Sequence, residues 1–288
     1  MLAALYPLEW LYPAEEKQRV SARLCNMIYM PVIVGFIFAI QPFIDLAAGH
    51  IVRLNIGLNV LPALPTDVIS VIWISLLFAL VWDVWQYWVH RLQHTRAILW
   101  PTHKFHHSES AMNASTHARV HMVSHIFYTM LWMPMIVVLG TLAPHWVVAF
   151  VMFRLWGYFI HANIKLHLGV LTPVITGPQW HRIHHSVNPE HQDKNFATLF
   201  PVIDIIFGTY YAPARDEFPK TGLADGTHVS FLQDASIEPL RSWYAMLSRG
   251  RSLQYRALKL GLAYGRISSC CRIAPPRWRV TSRLPTAS

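Results

Sequence analysis

Charge is scarce in this chain. Only 14% of its 288 residues are Asp, Glu, Lys or Arg, against roughly 25% in soluble domains. Apolar residues make up 53%, with 12 Trp among them. That balance excludes an ordinary soluble domain and points to a membrane protein. Cysteine is also rare: Cys25, Cys270 and Cys271 form neither a C-x-x-C pair nor a disulfide framework, so reduced thiols facing the cytoplasm are expected. Acidic residues are missing altogether after Glu238, where ten Arg and Lys follow from Arg241 to Arg283. Within a net charge of +9, such a tail reads as a cytoplasmic segment drawn to anionic headgroups. No nucleic-acid reading element stands beside it, so no nucleic-acid partner is expected. HExxH and HxxEH do not occur, which removes the usual membrane metallopeptidase. With no Gly-rich phosphate loop or dinucleotide fingerprint, the chain is expected to bind neither nicotinamide nor flavin.

Long apolar runs are present. The stretch 25–48 has the roughly 20 residues that a bilayer core requires, and further runs cover 66–89, 122–142 and 146–160. The first is not expected to be a cleavable signal, since the segment before it is too polar and the run too long. Four spans joined as two hairpins place both termini and the segment between Val89 and His121 on one side. Lys17, Arg19, Arg23, Arg91, Arg96, Lys104 and the basic tail lie there too, so the positive-inside rule makes that side cytoplasmic. The expected fold is all-α and multi-pass, with about four spans beneath a cytosolic helical cap. Its expected divisions are an N-terminal cytosolic segment 1–24, a membrane domain 25–211 and a basic tail 212–288.

The chain is rich in histidine, with 17 in all. Three clusters stand out: "HRLQH" at 90–94, "HKFHH" at 103–107 and "HRIHH" at 181–185. Residues three and four apart share a helix face, so His90 and His94 point together, as do His103, His106 and His107, and His181, His184 and His185. Eight imidazoles so arranged would repel one another if protonated. They make sense as neutral rings ligating cations, enough for two metals with positions left open. A closed structural zinc site would use four ligands, usually with thiolates, and does not fit. Imidazole suits iron, zinc and copper alike, so spacing does not name the element. Asp83, Tyr87, His90 and His94 form one stripe, with Asp83 placed to fix a histidine tautomer. The last apolar run delivers His161 to the same face; His167 joins only if the helix has ended, and His117, His121 and His125 form another row.

The segments "DVWQYWVHRLQH", "LWPTHKFHHSESAMNASTHARVH", "FIHAN", "HRIHHS", "DKNFATL" and "IDIIFGTYY", in this order, resemble the fatty acid hydroxylase/sterol desaturase superfamily over about residues 66–211. The resemblance implies a membrane base under a cytosolic cap that holds two irons, with zinc as an alternative occupant after purification. It implies O2 activation to hydroxylate an unactivated C–H bond of a fatty acyl chain, sterol or lipid headgroup. Carried over, the ligands are His90, His94, His103, His106, His107, His181, His184 and His185, with His161 from the third region and His121 and His167 as weaker matches. Asp83, Tyr87 and Asn195 become supporting residues. Asp193, Asp204, Phe207, Gly208 and Thr209 match later signatures, while Phe196, Ala197 and Ile203 depart from the family's usual tyrosine, glycine and tryptophan. Electrons are expected from a separate transfer protein, since nothing resembles a fused cytochrome, and no bound haem is expected. Desaturation or carotenoid hydroxylation remain alternatives within the class. A membrane metal carrier or sensor is the alternative outside it, and oligomeric state is open.

Overall fold

The computed structural model describes residues 1–53, 67–129, 144–224 and 230–259. The chain divides into two units, Met1–Trp243 and Tyr244–Ser288. Its helices are α1 (Leu2–Leu11), α2 (Val20–Arg53), α3 (Val68–Thr95), α4 (Trp100–His107), α5 (122–129), α6 (Pro144–Ile160), α7 (Pro178–His184), α8 (Val202–Phe207), α9 (Phe231–Ser236) and α10 (Glu238–Lys259). No strand occurs among the described residues, only isolated bridges pairing Pro13 with Ile164 and Ser186 with Thr221. The expected all-α character holds.

Among the described residues two helices, α2 and α3, are long and apolar enough to cross a membrane. One side of α2, with Tyr29 and Ile33, is buried against Phe105, while its other apolar side chains face outward: Ile28, Phe38 and Phe43 are 70%, 73% and 72% exposed. In water that surface would drive association; in lipid it is matched to its solvent. Pro31 and Pro42 interrupt its hydrogen-bond ladder, which apolar spans tolerate better than soluble helices do. The helix α3 starts at Asp67, whose carboxylate accepts the Ser70 N–H at 3.0 Å. Ile69, Ile72 and Trp73 are exposed in its first half, whereas Trp82, Asp83, Tyr87, His90 and Gln93 are buried in its second. The change follows the sequence, in which charged residues begin at Asp83. The expected fourth span coincides with α6, whose 17 residues reach about 26 Å. Of the expected third run at 122–142, residues 130–142 lie outside the described part.

Packing of α3 on α6 positions the site. Phe78, Ala79 and Trp82 meet Ala149, Phe153 and Leu199 in one cluster. Ala79 and Ala149 are almost wholly buried and let the two backbones approach, the small-residue packing that holds helices together in lipid. A second cluster of Tyr87, Trp180, Phe196, Ala197 and Ile203 ties α3 to α7, α8 and the loop before α8.

The N-terminal segment is built into this unit. Leu5 packs on Ala114, Ala162 and Ile164, and buried Glu9 accepts the N–H groups of Ala114 and Asn163 at 2.6 and 2.8 Å. Arg23 pairs with Glu9 at 3.2 Å, and Glu15 pairs with buried Arg182 of α7 at 2.9 Å.

Candidate metal centre

Among the described residues, nine histidines converge in two groups. His90, His94, His103, His107 and His184 form one; His106, His161, His181 and His185 form the other. Within each, the ligand atoms lie no more than 4.8 Å apart. The two HxxHH motifs are used in opposite senses. On α4 the i and i+4 residues, His103 and His107, join the first group and the i+3 residue, His106, joins the second. At α7 the i and i+4 residues, His181 and His185, join the second group and the i+3 residue, His184, joins the first. Each short helix therefore contributes to both groups, while HxxxH on α3 serves only the first.

Nitrogen spacing tests whether metals fit. His107 Nε2 lies 3.1 Å from both His94 Nε2 and His184 Nε2. His161 Nε2 lies 3.0 Å from both His106 Nε2 and His181 Nε2. Two ligands at right angles on one ion, with metal–nitrogen bonds near 2.0–2.1 Å, sit about 3 Å apart.

The backbone sets the tautomers. A carbonyl only accepts, so Nδ1 donates from His90 to Phe196 at 2.8 Å, from His161 to Gly157 at 2.6 Å and from His184 to Lys194 at 2.8 Å. In each neutral ring the lone pair is then on Nε2, directed toward its group. His90 Nε2, His103 Nε2 and both nitrogens of His185 are buried without a hydrogen-bond partner. Buried polar atoms left open in this way are costly unless a ligand satisfies them. The donor set fits two metal ions.

Burial first, and then mutual repulsion, holds His103, His106, His107, His181 and His185 well below the ordinary histidine range. Burial lowers His161 from 6.5 to about 4, against the opposing bond to Gly157. The unfolded chain consequently binds more protons than the folded one once pH drops below 6.5, and stability falls with pH. For His161 that window runs from 6.5 down to about 4. Thermal midpoints of metal-free protein should therefore decrease steadily from about pH 7 to about pH 5; a flat profile would contradict buried neutral rings.

The remaining sequence candidates lie elsewhere. His121 has both nitrogens engaged, with Nε2 donating to the Ser236 carbonyl at 3.2 Å and Nδ1 accepting the Val123 N–H at 3.1 Å. His167 Nδ1 donates to Gln179 Oε1 at 2.7 Å. Neither belongs to a group. Tyr87 meets Thr209 Oγ1 at 2.8 Å and Arg91 at 2.9 Å.

Asp83 fixes a loop. Its carboxylate accepts the N–H groups of Thr198, Leu199 and Phe200 at 2.7, 2.9 and 2.7 Å. Asp204 takes the N–H groups of Phe196 and Ala197 at 2.8 and 2.9 Å. Asn195 adopts φ +60, and its side chain bridges the backbone of Trp180 and Tyr211. The carbonyls on either side of it, of Lys194 and Phe196, are the ones that receive His184 and His90. Two carboxylates and an asparagine thus hold one loop so that its carbonyls aim two imidazoles.

Gln93 and Arg119 were not singled out by the sequence. Buried Gln93 donates to Thr102 and Ser124 and accepts from Tyr128, joining α3, α4 and α5. Its position inside HRLQH was the available signal. Arg119 joins Phe105, Ser108, Glu109 and Asn26, partners that no local pattern reveals. Gly157 admits the His117 ring against α6: a Cβ there would collide with the His117 ring. Gly157→Ala should lower stability by about 1–3 kcal/mol. Adding His117→Ala should recover most of the loss, as read by thermal unfolding of the double-mutant cycle.

A cavity of about 750 Å³ opens onto His90, His103, His106, His161 and His181 and continues between α2, α5 and α6. A recess of about 180 Å³ reaches His94, His107 and His184 beside Asp193.

Comparison with known proteins agrees with this arrangement. Residues 75–209 match the fatty acid hydroxylase family. The alkylglycerol monooxygenase of Danio rerio is 34% identical over 159 residues, 54% of this chain and 33% of that protein. The ornithine lipid hydroxylase of Rhizobium tropici is 28% identical over 148 residues, covering 51% and 44%. A sterol desaturase of Gibberella zeae is 30% identical over 152 residues, covering 50% and 39%. The chain thus spans less than half the length of each of these relatives. No solved structure matches it. Residues 75–209, which contain all nine converging histidines, are thus similar to the fatty acid hydroxylase family, and the relatives named support a likeness to the fatty acid hydroxylase/sterol desaturase superfamily.

Proposed function

We propose that the protein is a membrane-bound monooxygenase that hydroxylates an unactivated C–H bond of a lipid, using two histidine-held irons, O2 and electrons from a separate protein. The observation that carries this reading is the pair of histidine groups at the end of a cavity bordered by membrane-capable helices. Relatives named as an alkylglycerol monooxygenase and an ornithine lipid hydroxylase support it. His90, His94, His103, His107 and His184 would hold one ion, and His106, His161, His181 and His185 the other. When bound, the irons supply O2 activation and hydrogen abstraction, chemistry that no side chain provides alone.

The chain's own residues do the rest. The carbonyls of Phe196, Gly157 and Lys194 keep the Nδ1 protons of His90, His161 and His184 in place, so that Nε2 stays free to ligate. Trp82, Phe150 and Phe153 line the cavity and keep water from the reacting carbon. We place the histidines on the cytoplasmic face of a four-span base, a reading supported by the positive charge beside them and in the tail. The natural electron donor would dock on that basic side.

The test is product analysis with isotopically labelled O2, a reductase system and candidate membrane lipids. An alcohol carrying one labelled oxygen is expected; an alkene, or a product formed without O2, would overturn the hydroxylase assignment.

A further inference from the structure

One charge in the cavity has no counterpart. Arg154 lies on α6 amid apolar walls formed by Val34, Ile37, Ile44, Phe150 and Phe153. It is exposed, and it takes part in no ion pair among the described residues. A guanidinium on a helix of this hydropathy is costly without a partner, and such charges mark substrate paths. Arg154 and His161 are seven residues apart, so they share a face of α6, about 10 Å apart along its axis. The His117 ring stands against Gly157, three residues along α6 from Arg154 and on the same side of the helix. Its ring lines the same cavity, and its buried Nε2 has no hydrogen-bond partner. Asp45 also borders the cavity, but it is held by Gln41 at 2.8 Å and is not paired with Arg154.

We infer that the cavity selects an amphiphile bearing an oxyanion, a phosphate or carboxylate, which pairs with Arg154 and is hydrogen-bonded by His117. This rests on the lipid-oxidising reading and adds the chemistry of the substrate's polar end. The guanidinium supplies a fork of donors matched to two oxygens of one anion. The apolar chain of the ligand lies along the cavity walls formed by α2 and α6.

The test is equilibrium binding of hexadecyl phosphate, hexadecanoate and uncharged hexadecanol to the full chain in neutral detergent, with and without bound metal. Wild-type protein should bind at least one of the two anions at least tenfold more tightly than the alcohol. The two anionic probes separate a phosphate from a carboxylate. Arg154→Gln should remove the preference without changing metal content, Arg154→Lys should keep part of it, and His117→Ala should reduce it. Equal binding of all three probes by the wild type would overturn the inference. So would a preference that survives Arg154→Gln, or equal weakening toward all probes, which would mean that Arg154 only anchors α6 in the bilayer. Because binding is read without turnover, a lost preference in Arg154→Gln stands even if no lipid is oxidised. Conversely, oxidation of lipids by a protein with no anion preference refutes this inference alone.

Discussion

Replacing His161 by Ala is expected to abolish product formation and to cut bound metal from about two ions per chain to about one. His161 is the hub of its group, with its Nε2 3.0 Å from the ligand nitrogens of both His106 and His181. Its loss leaves three imidazoles, two of them, His106 and His181, without their bridging neighbour. The fall in activity should exceed the roughly 10–100-fold cost of losing a partner outside the ligand set. His107→Ala should behave alike from the other side, since His107 occupies the same hub position between His94 and His184. His167→Ala and His121→Ala should retain about two ions, because neither side chain reaches a group. Elemental analysis of the four variants side by side separates ligands from histidines that are merely nearby. Equal metal loss in all four would contradict the grouping.

Replacing Asp83 by Ala is expected to act on stability and metal together. It leaves three N–H groups, of buried Leu199 and half-buried Thr198 and Phe200, without their acceptor. At about 1–3 kcal/mol for a buried unsatisfied group and less for a half-buried one that water can reach, the loss is about 2–4 kcal/mol. The Phe196 carbonyl that orients His90 belongs to the same loop, so metal affinity should fall by roughly 10–100-fold. Asp83→Asn keeps one acceptor oxygen and should fall between. Asp204→Ala should resemble Asp83→Ala, because Asp204 holds Phe196 and Ala197 directly. The measurement is thermal unfolding with and without added metal, beside a metal-affinity titration. Wild-type affinity in both variants would mean that the loop does not position His90.

These two residues mark where the sequence could and could not be read. The HxxHH spacing was legible because i, i+3 and i+4 share a face, and nine of the eleven histidines named from sequence converge. The division of each motif between two groups was not legible, since it depends on how α4 and α7 face each other across 77 residues. Asp83 was read as placed to fix a histidine tautomer, but its expected histidine is replaced by backbone N–H groups 115–117 residues away. Asn195 was named for its side chain, whereas what reaches the histidines is the backbone around its left-handed turn. The helix α1 was missed altogether. It carries Pro7, and its anchor, Glu9, finds its acceptor role only with Ala114 and Asn163. Hydropathy revealed α2, α3 and α6, because continuous apolar runs report a helix in lipid without tertiary information.

The claim beneath all of this is that the two histidine groups each hold one metal ion. The most direct test is metal content per chain, by elemental analysis of protein freshly purified in mild detergent from iron-supplemented cells. The account predicts about two irons per folded chain. One ion or none in a folded, active chain would contradict it.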